Sequence, residues 1–190
     1  MNIYIARHGE TEYNKQKRYQ GSIDIPLNEA GRNQARNVSK ELDVSFDVVI
    51  SSPLIRALET AEILSGFDRK DIIIDERIRE ICMGVYEGQY YAETDKDFEK
   101  FFKKPEEYVA VNGSESFESL KERMWDFLCD ITGRYKDTDK KILILSHGAA
   151  IHALLAVIKD IPMCDFWKIP VENCRMIRIG YDNNRYEVIE

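Results

Sequence analysis

Short apolar runs alternate along this chain with segments of helical periodicity, and that alternation limits the fold more than anything else in the sequence. Ile3-Tyr4-Ile5-Ala6, Phe46 to Ile50, Ile72-Ile73-Ile74 and Ile142 to Leu145 are continuously apolar, as strands covered on both faces must be. Between them lie helical segments. Residues 28–42 place Ala30, Ala35, Val38 and Leu42 on one side, with Asn28 as N-cap. Residues 53–64 take Ser52 as N-cap and Pro53 as first residue. Residues 115–134 predict a longer helix, and residues 149–158 one carrying Ile151, Leu154, Leu155 and Ile158. Residues 175–180 and 185–189 predict a hairpin around Asp182-Asn183-Asn184. The pattern predicts an α/β fold of three layers, with a mostly parallel central sheet and helices on both faces.

Residues 89–112 break the rhythm. They mix charge with Tyr90, Tyr91, Phe98, Phe101, Phe102 and Tyr108, and are expected to form an inserted helical, aromatic cap within one domain spanning 1–190. Phe98, Phe101 and Phe102 fall near one face of a helix over 97–104, a face that either packs on the domain or serves as a specificity lid.

A length of 190 residues suffices for one good core, and no apolar run is long enough for a membrane helix. The first seven residues meet charge too early for a signal peptide, so a cytoplasmic location is expected. A net charge of −7 argues against a nucleic-acid partner while leaving room for a local cluster of cations in one cleft. Cys82, Cys129, Cys164 and Cys174 form no C-x-x-C pair and no Cys/His cluster; they read as reduced thiols, and neither metal nor cofactor is expected. Oligomeric state is left open.

In open parallel sheets ligands bind beyond the carboxyl ends of the strands. After the first strand comes Arg7-His8-Gly9-Glu10-Thr11, after the second Ser51-Ser52-Pro53-Leu54-Ile55-Arg56, and after the Ile142 to Leu145 strand Ser146-His147-Gly148. Each junction delivers a cation or an imidazole to the same edge, and two of only three histidines sit in matching His-Gly turns. Gly9 and Gly148, lacking Cβ, are expected to let the backbone approach a ligand. Arg56, in the first turn of its helix, opposes the helix dipole unless an anion binds there. A proton donor is expected among Glu76, Glu80 and Glu87; the residues alone do not choose. His152, on the helix after His147, reads as structural.

These blocks resemble the histidine phosphatase superfamily, the group that includes the phosphoglycerate mutases and fructose-2,6-bisphosphatase. The resemblance runs from Arg7-His8-Gly9-Glu10-Thr11 and Asn14 through Arg18, Gln20, Gly21, Asp24, Pro26, Leu27, Gly31, Gln34 and Ala35. It continues in Ser51-Ser52-Pro53, Arg56, Thr60-Ala61, then Arg79-Glu80, Gly84, Glu87-Gly88, and ends in Ser146-His147-Gly148. It implies a phosphoglycerate mutase-like fold and a metal-independent phosphomonoester hydrolase acting on a small molecule through a phosphohistidine on His8. By the same resemblance Glu80 is the general acid and base, and Arg7, Arg56 and His147 hold the phosphoryl oxygens. Asn14 adds a phosphate contact, and Gln20 and Gly21 line the mouth.

Two stretches depart from the family pattern at the rim: Asn112-Gly113-Ser114-Glu115-Ser116 and Asn173-Cys174-Arg175. The closest alternative is mutase-type phosphoryl transfer. Ile81-Cys82-Met83-Gly84 replaces the Arg-His-Tyr-Gly that follows the acidic residue in the mutases, and the chain stops at Glu190 with no tail expected to seal the site. A phosphate-binding scaffold on the same fold is the second alternative; it predicts a lost core residue, and all five are present.

Overall fold

The computed structural model describes residues 1–189. The sheet has six strands: β1 (Asn2–Arg7), β2 (Val48–Ser51), β3 (Ile73–Ile74), β4 (Lys141–Ser146), β5 (Met176–Asp182) and β6 (Arg185–Ile189). Their order is β3-β2-β4-β1-β5-β6. The first four are mutually parallel, and β5 and β6 form the expected antiparallel hairpin on the β1 edge.

Side chains alternate across each strand, so β4 feeds two cores. Ile142 and Ile144 face a cluster built on α5 (Phe117–Tyr135) and α6 (Gly148–Ile158), with Phe127, Leu128, Ile151 and Leu154. Leu143 and Leu145 face Ala35 of α2 (Glu29–Glu41) and Ala57, Ala61 and Leu64 of α3 (Ile55–Ser65). Both faces are therefore covered at the centre of the sheet; the expectation fails for β3, an edge strand on which Ile73 and Ile74 are 44% and 45% exposed. Among the described residues no helix is long and apolar enough to cross a membrane.

Register brings the strand ends together. Arg7 pairs with Ser146 across β1 and β4, so His8 and His147 leave the sheet side by side. Ser51 pairs with Leu145 across β2 and β4, which sets Ser52 beside them.

Local differences from expectation have physical causes. Asn28 does cap α2, accepting from Gly31 N at 2.8 Å. Helix α3, however, starts at Ile55 rather than Pro53: Leu54 is its extended N-cap, and the Ser52 hydroxyl is shared between Leu54 N at 3.3 Å and His147 Nε2 at 2.7 Å. A short helix α1 (Glu12–Gln16) was not anticipated; Thr11 and Asn14 close it with a reciprocal capping box. Gly9 serves packing rather than ligand approach, since a Cβ there would lie 2.6 Å from the Gly31 carbonyl at the start of α2.

The aromatic segment contains α4 (Lys96–Lys103), capped by Asp95. Its aromatic face divides. Phe98 and Phe101 are buried, stacked on Tyr86 at 4.0 Å and on Phe117 at 4.8 Å between ring centroids, whereas Phe102 is 40% exposed. The first two fasten the segment to the domain, and the third is left for another use.

Candidate active site

A cavity of about 240 Å³ opens beyond the carboxyl ends of β1 and β4. Arg7, His8, Asn14, Gln20, Gly21, Arg56, Glu80 and Gly148 line it, so eight of the nine site residues expected from the sequence meet there. The ninth, His147, stands behind the wall, fully buried, its ring centroid 5.1 Å from that of His8.

His8 Nδ1 lies 2.7 Å from the Gly9 carbonyl, which can only accept. The proton therefore sits on Nδ1, and Nε2 keeps its lone pair. Burial, and then the charges of Arg56 and Arg7, hold the imidazole pKa well below its ordinary 6.5, so the ring is neutral. Gly9 N donates to Thr60 Oγ1 at 3.0 Å, and Asn173 Nδ2 donates to the His8 carbonyl at 2.7 Å. Both brace the turn that carries the ring.

Two guanidinium groups flank it. Arg7 Nη1 donates to the Val171 carbonyl at 2.9 Å. Arg56, fully buried, donates from Nη1 to the Ile23 carbonyl at 2.7 Å and from Nη2 to the Gly21 carbonyl at 2.8 Å. Burial pushes its pKa down to about 10, still charged at neutral pH. No external anion is needed to reconcile this cation with the start of α3, because Asp24 Oδ1 already accepts from Ile55 N there at 2.7 Å.

Among the described residues, four buried side-chain polar atoms lack a hydrogen-bond partner, and three belong here: Arg7 Nε, Arg56 Nε and His147 Nδ1. Buried polar groups are nearly always paired, so three orphans in one place mark a site shaped for an anion.

Of the three carboxylates considered, Glu80 alone lines the cavity. Its Oε1 accepts from Ile81 N at 3.0 Å and Ala150 N at 3.2 Å, and its Oε2 from Ala149 N at 3.3 Å, so it caps the N-terminus of α6. Arg123 fixes the chain beneath it, donating to the carbonyls of Arg77, Arg79 and Glu80 while pairing with Glu115 at 2.7 Å. Glu76 pairs with Arg79 at the surface at 3.1 Å. Glu87 braces the loop after Gln20, accepting from Ser22 N at 2.7 Å and Met83 N at 3.0 Å. That loop turns at Gly21, where φ is +52° and a Cβ would strike the Glu87 carboxylate. Gln20 Oε1 accepts from Thr11 Oγ1 at 2.8 Å, and Asn14 Oδ1 from Thr11 N at 3.1 Å, which leaves the amide NH₂ of each as its donor.

The family description "Histidine phosphatase superfamily (branch 1)" matches residues 3–190. The chain belongs to the histidine phosphatase superfamily. It is 37% identical over 157 residues to the uncharacterized phosphatase PhoE of Bacillus subtilis, an alignment covering 82% of this chain and 76% of that one. It is 32% identical to the probable phosphoglycerate mutase GpmB of Escherichia fergusonii, covering 98% and 87%. The crystal structure of phosphoserine phosphatase from Entamoeba histolytica in complex with 3-phosphoglyceric acid superposes with a TM-score of 0.87 at 27% identity, covering 100% of this chain and 95% of that one.

Within this histidine phosphatase, several supporting residues escaped the sequence reading. In the sequence Asn173 reads only as the start of a rim variation, yet its amide holds His8 in place. Cys174, the changed residue beside it, points away from reactivity: burial pushes its thiol up to about 12. Ser52 is the most informative omission. Its Oγ accepts from Leu54 N at 3.3 Å and lies 2.7 Å from His147 Nε2. If Ser52 gives its single proton to Nε2, the His147 proton lies on the orphaned Nδ1, where an anion can accept it. Replacing Ser52 with alanine removes this bias. The expected result is a roughly tenfold fall in kcat/KM that Ser52→Thr restores, measured with circular dichroism as a control for folding.

Proposed function

We propose that this chain hydrolyses small-molecule phosphomonoesters, with His8 as nucleophile and Glu80 as general acid and then general base. The observation that carries the reading is the free His8 Nε2 in a cavity lined by Arg7 and Arg56, whose Nε atoms are buried and unpaired. Nε2 attacks phosphorus in line, and the bond to the leaving oxygen breaks as Glu80 protonates that oxygen. Arg7, Arg56 and the Nδ1–H of His147 stabilise the phosphoryl oxygens, with Asn14 as a further donor. A water then attacks the phosphohistidine, Glu80 takes its proton, and inorganic phosphate leaves with His8 regenerated. Gln20 and Gly21 act through the loop that holds Arg56, and Gly148 opens α6 beneath the Glu80 carboxylate. A solved relative holding 3-phosphoglyceric acid supports a small phosphorylated metabolite as the substrate class.

Relatives named as phosphatase and as phosphoglycerate mutase both match well, so the test separates the two outcomes. Incubation with 3-phosphoglycerate and an alkaline quench is expected to show up to one phosphate per chain on His8, with glycerate and inorganic phosphate accumulating. Formation of 2-phosphoglycerate without phosphate release assigns a mutase instead. Neither labelling nor release from several phosphoesters refutes both.

A further inference from the structure

Beyond the cations, the cavity changes character. Its outer wall is Tyr19, Tyr91, Phe102 and Trp167. These rings support one another: Tyr19 lies 5.6 Å from Phe102 with planes 13° apart, and Phe102 lies 5.4 Å from Trp167 at 30°. Tyr91 and Phe102 are 45% and 40% exposed, which leaves ring surface free for a ligand. A second hollow of about 390 Å³ shares Tyr19, Tyr91 and Phe102 and prolongs this wall outward.

The polar groups beside this wall are neutral: the Gln20 amide NH₂ and the Tyr91 hydroxyl line the same cavity. Among the described residues, Arg7 and Arg56 are the only arginines or lysines lining the cavity, and both belong to the phosphoryl cradle. Arg18 lies over the Tyr13 ring at 4.3 Å and donates to the Gly88 carbonyl at 2.6 Å. Lys103, on the outer hollow, is paired with Glu99. His152 lines the cavity, but its ring nitrogens lie 2.7 Å from the Gly148 carbonyl and 2.8 Å from the Ile169 carbonyl, so it offers no donor to a ligand. The Tyr19 hydroxyl is taken by Thr94 Oγ1. A carboxylate carried by the leaving group would lose its water here and meet no cation outside the phosphoryl cradle, whereas a ring would stack.

We infer that the alcohol half of the substrate is a neutral aromatic group, making the preferred class an aryl or arylalkyl monophosphate rather than a phosphorylated amino acid or hydroxy acid. The inference rests on the phosphatase reading above and names the substrate class of that same site. Phe102 is its main determinant, since it is half-exposed at the border of both hollows.

Benzyl phosphate, ethyl phosphate, O-phosphoserine and 3-phosphoglycerate all release alkyl oxygens, so their comparison reads binding rather than leaving-group reactivity. The expected kcat/KM for benzyl phosphate exceeds each of the others by about tenfold or more. Phe102→Ala is expected to shrink the benzyl-to-ethyl ratio severalfold, and Phe102→Arg to raise phosphoserine relative to benzyl phosphate. Phosphoserine or 3-phosphoglycerate at or above benzyl phosphate in the unmodified protein overturns the inference, as does a benzyl-to-ethyl ratio unmoved by Phe102→Ala. Hydrolysis of all four without preference leaves the phosphatase reading standing and sinks this one alone. No hydrolysis together with no label on His8 removes both.

Discussion

Replacing His8 with alanine is expected to reduce phosphate release by about 10⁴-fold or more and to abolish the phosphoenzyme. The loss is large because the reaction path begins at one atom. His8 Nε2 is the lone pair that the Gly9 carbonyl leaves free by fixing the proton on Nδ1, and among the described residues no serine, threonine or cysteine lines the cavity. The surrounding donors do not depend on that ring: Arg56 is held by the Gly21 and Ile23 carbonyls and Arg7 by Val171. Phosphate or vanadate is therefore expected to bind the variant with a Kd within about tenfold of the original, measured by calorimetry. A fall in turnover with label retained elsewhere would place the nucleophile at another residue.

The same burial has a cost in acid. His8, His147 and His152 all have pKa values lowered by burial from the ordinary 6.5, while the unfolded chain titrates near that value. Below it the unfolded state binds protons that the folded state refuses, so unfolding is favoured as pH falls. Each such histidine costs about 1.4 kcal/mol per pH unit until its own folded pKa is reached. In phosphate-free buffer the urea midpoint is expected to drop steeply below pH 6.5, and His8→Ala to make that drop shallower by roughly one proton.

The fold was legible because its central strands β2 and β4 are buried on both faces. Ile142-Leu143-Ile144-Leu145 has no polar interruption, and each strand end carried chemistry at a position that parallel register brings level. His8 and His147 were readable for that reason: each follows its strand by one residue. Contacts that depend on side-chain rotation were not legible. Pro53 after Ser52 has the form of a helix start, but Ser52 Oγ is committed to His147, 95 positions away, and nothing local records that. Asp24 capping α3 and Asn173 bracing His8 are likewise long-range pairings. The helix over Phe98, Phe101 and Phe102 was visible; which ring stays exposed depends on where Phe117 and Trp167 arrive from distant segments. For Gly9 the need for a missing Cβ was readable but not its cause, because the close neighbour is the start of α2 rather than a ligand.

Arg56→Met is expected to lower kcat/KM by about 10²–10³-fold and to uncouple phosphate binding from stability. In the unmodified protein Arg56 and Arg7 are two buried cations whose Nε atoms lack partners. An anion between them relieves that desolvation, so saturating inorganic phosphate should raise Tm by several degrees; 100 times Kd corresponds to about 2.7 kcal/mol. Methionine fills most of the space but leaves the Gly21 and Ile23 carbonyls without their donors, so the loop after Gln20 loosens as the charge is lost. Lysine keeps the charge but cannot span both carbonyls and an anion with a planar fork. Arg56→Lys should therefore retain part of the phosphate-induced shift while recovering less than a tenth of the lost rate. A lysine variant with full activity would mean that charge alone suffices at this position, and that the paired carbonyl contacts serve only the loop.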